Sequence, residues 1–170
     1  MTLENFIRAE TDGYFAQNAK SGFGVWEHRR APTSIDGQTV IRMNRDASYC
    51  FAVLDLTSPA TITLRGVGQR FCSLLVINQD QFAKLVADEA GTDTRTQART
   101  GSRLVAVVLR SFVDPNDLAD IAAANRVQDL STIAQSDPGR LDLPNWTPDQ
   151  RRAIRNLLNQ LAFHANGKGA

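Results

Sequence analysis

The period of the hydrophobic pattern changes along the chain, from helical to alternating and back to helical. Residues 2–20 place Leu3, Phe6, Ile7, Tyr14 and Phe15 on one stripe, with a gap at Glu10 and Thr11, so an amphipathic helix is predicted there, ended by Ser21-Gly22. Residues 23–29 alternate, with Phe23, Val25 and Glu27 opposite Trp26 and His28, and predict a strand; Pro32, Asp36 and Gly37 then mark a loop. Val40, Ile41 and Met43 lead into a polar insert of Arg42, Asn44, Arg45, Asp46, Ser48 and Tyr49. Residues 49–56 are apolar on both pleat faces, so both faces need cover. Thr57-Ser58-Pro59 breaks the run, residues 60–64 resume it in the manner of a hairpin, and the turn around Gly66 and Gly68 leads to a further run at residues 70–77. Connections this short join antiparallel neighbours, which makes residues 38–77 the expected centre of an antiparallel sheet.

Beyond a polar turn at Asn78-Gln79-Asp80, residues 82–87 fit strand or helix by period and are assigned as strand. The Thr-rich residues 91–101 suit an exposed edge strand and a loop, and residues 103–109 form another strand apolar on both faces. The period then becomes 3.6. A cap at Asp114-Pro115 predicts a helix from about Asn116, with Leu118, Ile121, Ala122, Leu130 and Ile133 buried and Asp137-Pro138-Gly139 as its stop. Thr147-Pro148-Asp149-Gln150 is a capping box, and it opens a last helix with Ile154, Leu157, Leu158 and Leu161 on the docking face and an end at Asn166-Gly167. The pattern predicts an α+β fold in one domain over residues 1–170, with a β-rich core at about 23–112 and a helical part at about 115–165.

Composition narrows the class. A 170-residue chain buries roughly 70% of its unfolded surface, enough for a core without staples. With 42% hydrophobic residues, 22% charged and a net charge of +1, the chain reads as an ordinary globular protein. Sixteen of its nineteen basic residues are arginine, but they are dispersed from Arg8 to Arg155 among acids, which argues against a nucleic-acid partner. No apolar run reaches the ~20 residues of a bilayer span, and Glu4, Glu10 and Asp12 stand where a signal peptide needs a basic start, so no membrane partner and a cytoplasmic location are expected. Cys50 and Cys72 both fall in strand runs and are expected as free, buried thiols; a disulfide would require adjacent strands and an oxidising compartment.

Candidate chemistry concentrates in the polar insert. Asp46 and Tyr49, with Asn44 and Arg42 at alternate positions before them and Arg45 between, can bring a carboxylate, a phenol and guanidiniums to one rim, for acid/base work by Asp46 and Tyr49 or for ligand binding by Arg42, Asn44, Arg45, Asp46 and Tyr49. The competing reading has Asn44 and Asp46 closing a turn while Tyr49 packs. His28 and His164 have no cysteine or carboxylate cluster at ligand spacing, so no metal is expected. The Asp114-Pro115-Asn116-Asp117 run lacks the spaced ligands of a calcium loop, and no glycine fingerprint for a nucleotide is present, so no cofactor is expected either.

Residues Ile41-Arg42-Met43-Asn44-Arg45-Asp46 and Tyr49, together with Phe112-Val113-Asp114-Pro115-Asn116-Asp117 and Pro144-Asn145-Trp146, resemble the domain-of-unknown-function family 1254. The resemblance covers nearly the whole chain. It implies an antiparallel β-sandwich of jelly-roll-like type, with an N-terminal helix and two C-terminal helices packed on it, and no established reaction. Many members continue into a second β-rich domain, domain-of-unknown-function family 1214. Ala47 and Ser48 depart from the family's threonine and leucine, Arg65-Gly66 from its proline-aspartate, and Gln81 stands where histidine is usual. These readings leave two expectations for function. The first is a non-catalytic oligomeric or interaction module, a homo-oligomer or one that meets a separate second-domain protein. The alternative is a small-molecule binding protein or enzyme with its polar site around Asp46 and Tyr49.

Overall fold

The computed structural model describes residues 1–37, 44–66 and 68–165. Val40 to Met43, Arg42 included, the Val67 position of the glycine turn and the Asn166-Gly167 end lie outside the described residues. In chain order the elements are α1 (Phe6–Asn18), β1 (Glu27–Arg29), β2 (Ala47–Asp55), β3 (Ala60–Leu64), β4 (Cys72–Asn78), β5 (Ala83–Ala87), β6 (Gly91–Arg95), the short α2 (Gln97–Thr100), β7 (Leu104–Phe112), α3 (Leu118–Leu130), β8 (Thr132–Gln135) and α4 (Pro148–Ala165). The fold is α+β. A five-stranded antiparallel sheet, in the order β1-β2-β7-β4-β5, faces a three-stranded antiparallel sheet, β6-β3-β8.

Strand periodicity sorts the side chains. The inward positions Cys50, Ala52 and Leu54 of β2, Cys72, Leu74 and Val76 of β4, and Val105, Val107 and Leu109 of β7 meet Ala60, Ile62 and Leu64 of β3 in one buried cluster. On the outer face of the large sheet, Val53, Leu104 and Ala106 are covered by Phe15 and Ala19 of α1 and by Phe23 and Leu143. β2 and β7 are therefore covered over part of both faces, whereas the outer positions of β4, Ser73, Leu75 and Ile77, remain half-exposed, so the expected burial of that strand on both faces does not hold.

The expected hairpins of the central stretch do not form. β2 and β3 lie in different sheets, as do β3 and β4, and only β4 and β5 pair with a sequence neighbour across a tight turn. The corner after β2 shows why. Asp55 turns its carboxylate back on the chain, where Oδ1 accepts from Thr57 N and Thr57 Oγ1 at 3.0 and 2.6 Å, and the strand is bent out of its sheet toward the other. Cys50 and Cys72 are both free and buried, but β7 stands between their strands. At roughly 4.8 Å per strand spacing they are about twice that far apart, beyond a disulfide's reach.

The C-terminal third departs in two ways from a purely helical part. α3 ends at Leu130, and Thr132–Gln135 adds β8 to the edge of β3. Its buried face is Ala124, Val127 and Gln128, whereas Leu118 is 82% exposed and Leu130 is also exposed. The helix packs over the end of the sandwich, where Gln128 Nε2 donates to the main-chain oxygens of Arg29 (3.1 Å) and Tyr49 (3.3 Å). The cap at Thr147 forms as read, Gln150 N donating to its hydroxyl at 3.3 Å. α4 lies against α1, with Ile154 and Leu158 half-buried, but Leu157 and Leu161 remain 43% and 53% exposed instead of buried.

Candidate functional site

Tyr49 leaves the polar insert on β2, and the antiparallel register fixes its neighbours. Arg29 of β1 pairs with Tyr49, Tyr49 with Arg110 of β7, and Arg110 with Ser73 of β4, so these four side chains form one row on the outer face. The next row, Glu27, Phe51, Val108, Leu75 and Val86, crosses all five strands and is apolar after its first member. The Tyr49 and Phe51 rings stack with centroids 5.8 Å apart and planes 15° from parallel, and the Arg29 guanidinium carbon lies 4.6 Å over the Phe51 ring.

Of the expected site residues, Asp46 and Tyr49 share this end of the sheet, whereas Arg42 lies outside the described residues. Arg45 turns away and donates to Thr33 O at 3.0 Å, and Asn44 is half-buried in the approach to β2. Asp46 is exposed; its main-chain oxygen accepts from Val113 N at 2.9 Å, and its carboxylate stands 4.0 Å from the Arg110 guanidinium. That distance is an ion pair without a hydrogen bond. None of five concavities on the surface is lined by Asp46 or Tyr49. One lies beside them: a groove of about 380 Å³ between α1 and the outer face, with Phe51, Val108, Ala106 and Ile77 among its lining and Tyr14 and Gln81 at its sides.

The sequence does not disclose Arg29 and Arg110 as members of the row. They lie far from Tyr49 in the chain, and only strand register brings them to it. The same register brings together a pair that sequence spacing does not disclose. His28 and Cys50 are cross-strand partners facing inward, Nδ1 to Sγ 3.0 Å. Burial pushes the Cys50 thiol up to about 12, while burial and then Arg30 lower the His28 pKa, so the pair is a neutral thiol beside a neutral imidazole. That state fits a packed core contact and not an activated nucleophile.

Three other polar nodes are structural. Asp12, fully buried, accepts from Gln79 Nε2 and Trp146 Nε1, both at 2.7 Å, and joins α1 to the end of β4 and to the Pro144-Asn145-Trp146 segment. Asp120 of α3 takes the Arg70 guanidinium and Asp114 N (2.7 Å), while Arg70 Nη1 also donates to Phe112 O at 2.5 Å. Asp55 Oδ2 accepts from Arg140 N at 3.1 Å, and Gly139, at φ +67°, passes so near that a Cβ there would stand 2.5 Å from the carboxylate. Among the described residues no group of three His, Cys, Asp or Glu side chains is placed to hold a metal, and no helix is long and apolar enough to cross a membrane.

No family model matches the chain, and no curated protein does. Among solved structures it is similar to the VPA0106 protein from Vibrio parahaemolyticus, with a TM-score of 0.61 at 12% identity over 85% of this chain and 41% of that one. The chain thus spans about two fifths of that structure's length, and at this identity the likeness is one of fold.

Proposed function

We propose that the chain is a non-catalytic, self-associating interaction module, and that its docking surface is the part of the five-stranded sheet left open by α1. The observation that carries this reading is the apolar row Phe51, Val108, Leu75 and Val86, which ends on the edge strand β5 with Val86 70% exposed. Phe71 and Phe112, also exposed, lie beyond the polar row of Arg110 and Ser73 at the same end of the sheet. An apolar patch continuous across a sheet, rimmed by Arg29, Arg110 and Glu27, has the composition of a protein interface. A second copy is the favoured occupant because one patch meeting itself about a two-fold axis closes the assembly. A separate protein corresponding to the family 1214 domain is the other partner that the resemblance to family 1254 suggests. Two free, buried cysteines suit a reducing cytoplasm.

Light scattering on the purified chain tests this reading. The expected mass at tens of micromolar is twice 18.7 kDa, and a mass of 18.7 kDa throughout that range defeats self-association.

A further inference from the structure

We infer that the groove between α1 and the large sheet is a binding site for an amphipathic carboxylic acid, with its apolar body on Phe51, Val108 and Ile77 and its carboxylate at Arg29 and Arg110. The site goes beyond the docking reading and does not depend on it, but Phe51 and Val108 belong to both, so an acid in the groove and a second copy on the sheet row compete for them. Three observations converge. The groove, about 380 Å³, falls within the range of ligand pockets, which run from about 300 to 1,000 Å³, and its floor is apolar. Its Phe51 edge carries a guanidinium, since Arg29 lies 4.6 Å above that ring. Arg110 follows Val108 by two positions on the same face of β7, about 7 Å further along the strand.

The third observation concerns the two arginines themselves. Each guanidinium offers five N–H donors, yet neither donates a hydrogen bond to a protein acceptor among the described residues, and Arg110 Nε is buried without a partner. Their acidic neighbours are loosely met. Glu27 stands 3.7 Å from Arg29 and takes its short bond, 2.6 Å, from Ser21 Oγ; Asp46 stands 4.0 Å from Arg110. Two underused planar forks flanking the Tyr49 phenol complement a carboxylate, which accepts such donors in parallel pairs. On the far side of the groove, Gln81 is held at φ 63°, a left-handed conformation in a residue other than glycine, and its side chain lines the wall. The lining itself holds no carboxylate or ammonium, so the acid's body meets no competing charge.

Titration calorimetry with decanoate, decanol and acetate separates the contributions. Decanoate is expected to bind one per chain, decanol about tenfold or more weakly for want of the charge-assisted bonds, and acetate without measurable heat for want of the apolar body. Arg29→Gln and Arg110→Gln should each weaken decanoate by about tenfold, and Tyr14→Ala, on the exposed side of α1, should weaken decanoate and decanol alike. Equal affinity for decanoate and decanol overturns the proposal, as does decanoate binding unchanged in both arginine variants, or no decanoate binding at all. Val86→Lys, at the end of the docking row outside the groove lining, is expected to lose self-association and to bind decanoate at least as tightly as wild type, so loss of self-association and loss of the acid site are read separately.

Discussion

Asp12 accepts from side chains 67 and 134 positions away in the chain, and its two bonds hold the first helix, the end of β4 and the Trp146 segment together. Asp12→Ala leaves two half-buried donors without their acceptor, and the expected loss is about 2 kcal/mol in urea unfolding. Asp46→Asn, by contrast, alters an exposed group in a loose pair and should change stability by no more than about 0.5 kcal/mol. Asp120 gives a pH prediction. The Arg70 bond, with Asp114 N next, holds its carboxyl down at about 2, below the roughly 4 of an unfolded chain. A depressed folded-state pKa stabilises above the unfolded value, and that contribution is lost as pH falls from about 4 to about 2. Thermal midpoints of Asp120→Asn should therefore lie below wild type at pH 7 and converge on it toward pH 2. Cys50 predicts a kinetic result: with its thiol fully buried and pushed up to about 12, neither it nor buried Cys72 should react with a thiol reagent at pH 7 until denaturant is added.

Among the elements, the two helices of the C-terminal third carry different energetic weight. Ile62 of β3 is fully enclosed between the sheets, and Ile62→Ala should cost about 2–5 kcal/mol. Leu158→Ala in α4, at a half-buried position, should cost about 1 kcal/mol, similar to Thr147→Ala at the cap, so denaturant midpoints ought to place Ile62→Ala well below the other two. Periodicity disclosed the strands of the β-rich core and their apolar faces, which follow from burial, but not β8, whose four residues it read as helix. It could not disclose partners. The run at residues 60–64 reads the same whether it pairs with β2 or, as it does, with β6 and β8, and the corner that precedes it is closed by Thr57 donating to the Asp55 carboxylate. The phase of α3 was misleading for a related reason. Its leucines at 118 and 130 suggested the buried stripe, but close approach to the sandwich selected Ala124, Val127 and Gln128. The candidate site was legible at Asp46 and Tyr49 and not at Arg29 or Arg110, which reach the row only through register.

For the whole molecule, two apolar surfaces are candidates for the proposed self-association, the sheet row ending at Val86 and the α4 stripe of Leu157 and Leu161. The sheet row is the stronger candidate on geometry. It is rigid, since its side chains stand on hydrogen-bonded strands, and it is continuous from β2 to β5, whereas α4 touches the rest of the chain mainly through α1. A rigid patch loses less conformational entropy on docking than a helix that must first be fixed in place. Two substitutions decide between them. Val86→Lys places a charge at the exposed end of the row, where β5 is an edge strand, and in a two-fold contact through the row that lysine would be buried without a partner. Leu161→Lys does the same to the helix stripe. Both positions are exposed in the single chain, so each variant should fold with a midpoint close to wild type. The expected result is a mass of 18.7 kDa for Val86→Lys and of twice that for Leu161→Lys. The opposite pair of masses would move the interface to α4 and leave the open sheet face without a role in assembly.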